Sequence, residues 1–156
     1  MMPEQLQALA SNPKAFMSQS FWLNKSIEVK KERIAYWQRF AKGISVALEQ
    51  DVGMFGSEHN QSRMENTVTS IVVLQREILE EVERLIVIQK IIEEVIEVFL
   101  DDPACRLMME MRYLKYLTLE EIAFRMGWSY RWVQKINKKS LQRLAQAALV
   151  RVDSAL

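Results

Sequence analysis

Hydrophobic positions in this chain recur at helical spacing over most of its length. Between residues 21 and 48, Ile27, Ile34, Trp37, Ala41, Ile44 and Leu48 are separated by seven and then by alternating threes and fours. That period puts them on one face of a helix. Residues 63–100 contain neither proline nor glycine. Met64, Val68, Ile71, Gln75, Ile78, Val82, Leu85, Gln89, Ile92, Ile96 and Phe99 again alternate fours and threes. The pattern predicts a heptad helix with Gln75 and Gln89 at equivalent positions. At roughly 1.5 Å per residue it would exceed about 50 Å. Val72, Leu79 and Ile86 flank the seam on one side, and Leu74, Ile88 and Val95 on the other. A face that wide needs more than one neighbour. One neighbour is the 21–48 helix, across a loop at 51–62 that holds Gly53, Gly56, Ser57, Asn60 and Ser62. A second is another copy of the chain, with the two glutamines setting register.

The pattern changes at Asp101-Asp102-Pro103, where an aspartate suited to capping precedes a proline suited to the first helical position. Three shorter helices are predicted beyond it, at 103–116, Leu119–Met126 and 130–149. Thr118 and Glu121 have capping-box spacing, Gly127 stands where a left-handed residue ends a helix, and Ser129 can cap the next. In the last helix Val133, Ile136, Ser140, Leu141 and Leu144 form one stripe to be buried. Residues 1–20 hold only a short candidate helix, PEQLQALA, with Pro3 in its first turn. The expected fold is all-α: an N-terminal long-helix hairpin or coiled coil, then a small C-terminal helix-turn-helix domain. The expected divisions are 1–20, 21–102 (dimerisation) and 103–156 (DNA binding).

Charge sharpens this picture. The net charge is only +1, yet it is segregated. Residues 106–151 hold ten basic and three acidic side chains, a balance of +7, whereas 61–102 hold four basic and ten acidic, a balance of −6. A basic C-terminal segment built as a helix-turn-helix points to DNA. Ser129, Tyr130, Arg131, Gln134 and Lys135 are expected at the bases. Lys138 and Lys139 are expected nearer phosphate, with Arg112, Lys115 and Arg125 flanking the groove. Trp128 is expected to pack over the helix junction, and packing is favoured for Trp132 as well.

Other chemistry finds little footing. Cys105 is the single cysteine and His59 the single histidine, so neither a disulfide nor a metal site is expected. There is no Ser–His–acid set and no HExxH, so neither an enzyme nor a cofactor is expected. Glu80, Glu81, Glu93 and Glu94 on the heptad helix read as solubilising charge, and Lys30, Lys31 and Arg33 as a solvated face. No run of about 18 uncharged apolar residues occurs, and no basic stretch followed by an apolar run opens the chain. The expected location is intracellular.

The segments RYLKYLTLEEIAFRMGWS (112–129) and VQKINKKSL (133–141) resemble region 4 of the sigma-70 family of RNA polymerase sigma factors. The resemblance implies that Tyr130, Arg131 and Lys135 read promoter bases, while Ser129, Gln134 and Lys138 lie near the backbone. Tyr130 and Trp132 depart from the arginines usual there. Nothing resembles sigma region 2. Over its whole length, through KKERIAYWQ, QSRMENTV and the DDP break, the chain looks like small Gram-positive phage proteins grouped with the ArpU-type and RinA-type late-gene regulators. This likeness implies a transcriptional activator of late phage genes in the bacterial cytoplasm. Its partners would be double-stranded DNA, host RNA polymerase and a second copy of itself. Two other functions fit the same helices: a small terminase-like DNA-packaging subunit, and a protein-interaction module that binds no DNA.

Overall fold

The computed structural model describes residues 1–50 and 57–154. Among the described residues all regular structure is helical: α1 (Pro3–Ser11), α2 (Pro13–Met17), α3 (Gln19–Gln50), α4 (Ser57–Phe99), α5 (Pro103–Tyr113), α6 (Leu119–Met126) and α7 (Tyr130–Ser154). They form two compact units, one of Met1–Trp22 with Leu85–Leu156, the other of Leu23–Arg84. The all-helical class and the two long helices ahead of a smaller helix cluster agree with the sequence pattern.

In the unit of Leu23–Arg84, α3 and α4 run antiparallel. Ser26 and Lys30 meet Glu81, and further along the Arg63 guanidinium lies 5.0 Å from the centre of the Phe40 ring. Ile27, Ile44 and Leu74 are buried between the helices. The seam of α4 departs from the pattern only in its first half; beyond Arg84 it is kept, with Leu85, Gln89 and Phe99 half-buried and Ile92 and Ile96 buried. Met64, Ile71, Ile78 and Val82 face inward in part, as expected, but the buried companions are Thr67, Leu74 and Glu81, while Val68 and Gln75 are exposed. Polar side chains tolerate those positions because they find partners. The Thr67 hydroxyl donates to the Arg63 carbonyl at 2.7 Å, and Glu81 accepts from Ser26 at 3.0 Å and from Lys30. Glu81 is therefore a buried partner of α3, not a solubilising charge, and Lys30 is no solvated lysine. Gln75 is exposed while Gln89 is half-buried, so the two glutamines are not equivalent. The 51–62 loop is shorter than expected, since α4 already begins at Ser57 with Glu58 in its first turn, where a carboxylate favours a helix N-terminus. Residues 51–56 lie outside the described residues.

The other unit is built around α7. Val133, Ile136, Ser140, Leu141, Leu144 and Ala148 face inward, including the whole stripe read from the sequence. Against it pack α1, α2, α5 and α6. Leu9 of α1 and Met17 of α2 are fully buried there, beside Ile92, Val95, Ile96, Met108, Met109 and Ile122. The N-terminal segment, unplaced by its sequence, is thus part of the core around the helix-turn-helix. Cys105 is buried in the same core.

Candidate nucleic-acid interface

The local geometry of the helix-turn-helix follows from its capping residues. Asp102 accepts the Ala104 amide at 2.9 Å and opens α5 with Pro103 behind it. Thr118 accepts the Glu121 amide at 3.1 Å while Glu121 accepts the Thr118 amide at 3.2 Å, a closed capping box on α6. Gly127 ends α6 at φ 66°, where a Cβ would strain the backbone. Ser129 then accepts the Trp132 amide at 3.1 Å and starts α7.

The helix before this motif ends differently from the sequence reading. α5 stops at Tyr113 rather than 116. Its last carbonyls accept amides from Leu114, Lys115 and Leu117, and Tyr116 takes φ 63°, left-handed backbone uncommon outside glycine. Three contacts hold it. The Tyr116 hydroxyl lies 2.5 Å from that of the buried Ser20 and accepts from the Gln89 amide at 2.9 Å. The ring meets Phe21 edge-on at 6.1 Å.

Helical periodicity and exposure together sort the surface of α7. Arg131, Lys135 and Lys138 are exposed and fall at i, i+4 and i+7, one row directly opposite the buried stripe. Gln142, exposed at i+11, continues that row and was absent from the sequence reading, although the same spacing marks it. Lys139 and Gln134 are exposed on its two flanks, and Ser129 and Tyr130 are exposed at the start of the helix. Trp132 is 48% exposed beside Lys139, so the packing favoured for it gives way to a surface position; the stripe is already filled by Val133 and Ile136. Trp128 does pack against the core. The only carboxylate of α7 is Asp153, at its far end. Among the described residues none of the α7 cations named here forms an ion pair, which leaves a row of unneutralised positive charge.

The remaining bases divide. Arg125 and Lys115 are exposed on α6 and on the loop before it. Arg112 is half-buried and donates from Nη1 to the Leu117 carbonyl at 3.0 Å, bracing that loop. Arg106 donates to the carbonyls of Leu100 and Glu97 at the end of α4. Arg151 lies 4.5 Å over the Phe99 ring. Part of the +7 balance is thus structural, and the part turned outward is concentrated on the first half of α7.

No group of histidine, cysteine and carboxylate side chains able to hold a metal ion occurs among the described residues. No described helix is long and apolar enough to cross a membrane. Residues 102–146 match the family model described as sigma-70, region 4. No curated protein and no solved structure matches the chain. The chain carries a sigma-70 region 4-like helix-turn-helix near residues 102–146, set in a core that its own N-terminal helices help to build.

Proposed function

We propose that this protein is a DNA-binding transcriptional regulator that works by binding rather than catalysis. The observation that carries the reading is the row Arg131, Lys135 and Lys138 on the exposed face of a capped second helix, none of them in an ion pair among the described residues. A recognition helix lies in the major groove with its N-terminal residues on base edges. Ser129, Tyr130, Arg131, Gln134 and Lys135 fall in that region, and Lys138 and Lys139 fall where the backbone passes. The match to sigma-70 region 4 supports action at promoters, and the proposal extends to activation of late phage genes through contact with host polymerase.

Pairing through α4 is the second part of the proposal. Val68, Val72 and Leu79 on α4 are 50%, 46% and 66% exposed. They continue through Gln75 and Val82 at alternating fours and threes, a second seam beside the one filled by α3. Arg76 and Glu83 flank it. In an antiparallel pair centred next to Leu79, Arg76 of each copy faces Glu83 of the other. A dimer so built carries two recognition helices, and its half-sites would lie about one helical turn or a multiple apart.

Selection of duplex fragments by the purified full-length protein, followed by salt-titrated affinity measurements, tests the DNA reading. Lys138→Ala is expected to weaken all sequences alike and to lower the slope of log affinity against log salt by about 1. Lys135→Ala is expected to relax preference within the selected site, at about 1–3 kcal/mol for a lost bidentate contact. A wild-type protein that binds no duplex even at low salt would favour the protein-interaction module instead.

A further inference from the structure

The helix-turn-helix has a neighbour on its own unit that its sequence match does not cover. A cavity of about 450 Å³ lies where α2, the first turn of α3 and the α5–α6 loop meet. Lys14 and Trp22 come from the N-terminal elements, Arg112 from the last turn of α5, and Tyr116 and Thr118 from the loop. No carboxylate lines it, and among the described residues neither Lys14 nor Arg112 is ion-paired. Arg112 gives one nitrogen to Leu117, and a guanidinium has further donors to offer. Trp22 is 68% exposed, its ring edge-on to Phe21 at 5.2 Å.

The cavity is held in shape before anything enters it. Phe16 and Met17 bury the other face of α2, and Asn12 caps that helix by accepting the Ala15 amide at 3.1 Å. The bonds from Tyr116 to Ser20 and Gln89 fix the loop against α3. Two unneutralised cations, hydroxyl groups and a solvent-facing indole on a preformed wall match a sugar–phosphate backbone. The position agrees. In a helix-turn-helix the first helix crosses the DNA backbone while the second enters the groove, and Thr118, on the cavity wall, opens that first helix.

We propose that Lys14 and Trp22 extend the DNA interface beyond the helix-turn-helix, forming with Arg112 and Thr118 a cleft that grips the backbone of the duplex read by α7. The proposal rests on the DNA-binding reading of α7. The cleft takes phosphate without regard to sequence, so its contribution is uniform across sites and falls with salt.

The test uses the full-length protein and a labelled duplex titrated over a range of salt concentrations. Lys14→Ala is expected to weaken every duplex to the same degree and to reduce the salt slope by about 0.9, the loss of one phosphate. Trp22→Ala is expected to weaken binding with the slope unchanged, since an indole releases no counterion. Both side chains are exposed, so thermal melts should match wild type and separate lost binding from lost folding. If Lys14→Ala keeps wild-type affinity and slope while Lys138→Ala loses both, the cleft proposal fails and the α7 reading stands. If wild type shows no salt-dependent binding, the α7 reading fails first. Quenching of wild-type fluorescence by inorganic phosphate, absent in Trp22→Phe and undiminished by excess duplex, would assign the cleft to a free anion and overturn the proposal.

Discussion

At the scale of single residues, buried polar groups place the helices against one another. Glu81 is 9% exposed, and its carboxylate is held by Lys30 and Ser26 from the facing helix, although its second oxygen has no partner. Burial pushes this carboxyl upward, but the bonds from Lys30 and Ser26 outweigh burial and hold it below the usual carboxylate range. Lys30 is raised above 10.5, first by its bond to Glu81 and despite burial, with Glu77 adding to the effect at 3.3 Å. The signs follow from linkage. Glu81 stabilises the hairpin above its ordinary value near 4.5 and ceases to as pH falls through its lowered folded value. Lys30 contributes fully below 10.5 and ceases to as pH rises past its raised folded value. The gap in melting temperature between wild type and Glu81→Gln should therefore be largest near about pH 7 and shrink towards about pH 3. A gap unchanged by acid would mean the pair does not hold the hairpin.

At the scale of elements, α4 shows how a readable period can still conceal a face. Its heptad is evident in the sequence, and Met64, Ile71 and Ile78 keep their inward side. Which neighbouring column joins them was decided by α3, whose Ser26 and Lys30 draw Glu81 inward. Val68, Val72 and Leu79 are left in solvent by that choice, and the proposed pairing would cover them. Leu79→Glu places a charge at the centre of the proposed pair and should halve the mass measured by light scattering, with the helical content retained. A monomeric wild type, or a variant that still pairs, would reject this face. The shorter elements were more legible. The caps of α5, α6 and α7 stand where their residues predicted, because capping is a bond between near neighbours in sequence. The end of α5 escaped prediction because Tyr116 is held in left-handed backbone by Ser20 and Gln89, neither of them near it in the chain.

At the scale of the whole molecule, the helix-turn-helix is completed by parts of the chain distant from it. Leu9, Phe16 and Met17 bury their side chains in the same core as Met108, Ile122 and Leu144. A small three-helix domain has little interior of its own, and the N-terminal helices enlarge it. Leu9 is fully buried, so Leu9→Ala should cost about 2–5 kcal/mol and lower the melting temperature of the unit that carries α7. Denaturant unfolding of the full-length protein measures this directly. A wild-type midpoint would show that α1 rests on the core without being part of it.

The sequence by itself determined the helical class, the start of each C-terminal helix, the buried stripe of α7 and the row of cations opposite it. Those features depend on residues within a few turns of each other, where helical period and capping chemistry act alone. Only the tertiary structure decided the rest: which column of α4 faces α3, where the N-terminal helices bury Leu9 and Met17, and that Lys14 and Trp22 share a wall with Arg112 and Thr118. It also decided that Arg106 and Arg112 spend bonds on backbone carbonyls. These are matters of partner choice between segments far apart in the chain. Amphipathic helices leave several partners nearly equivalent, and complementary packing with a few buried polar bonds selects among them.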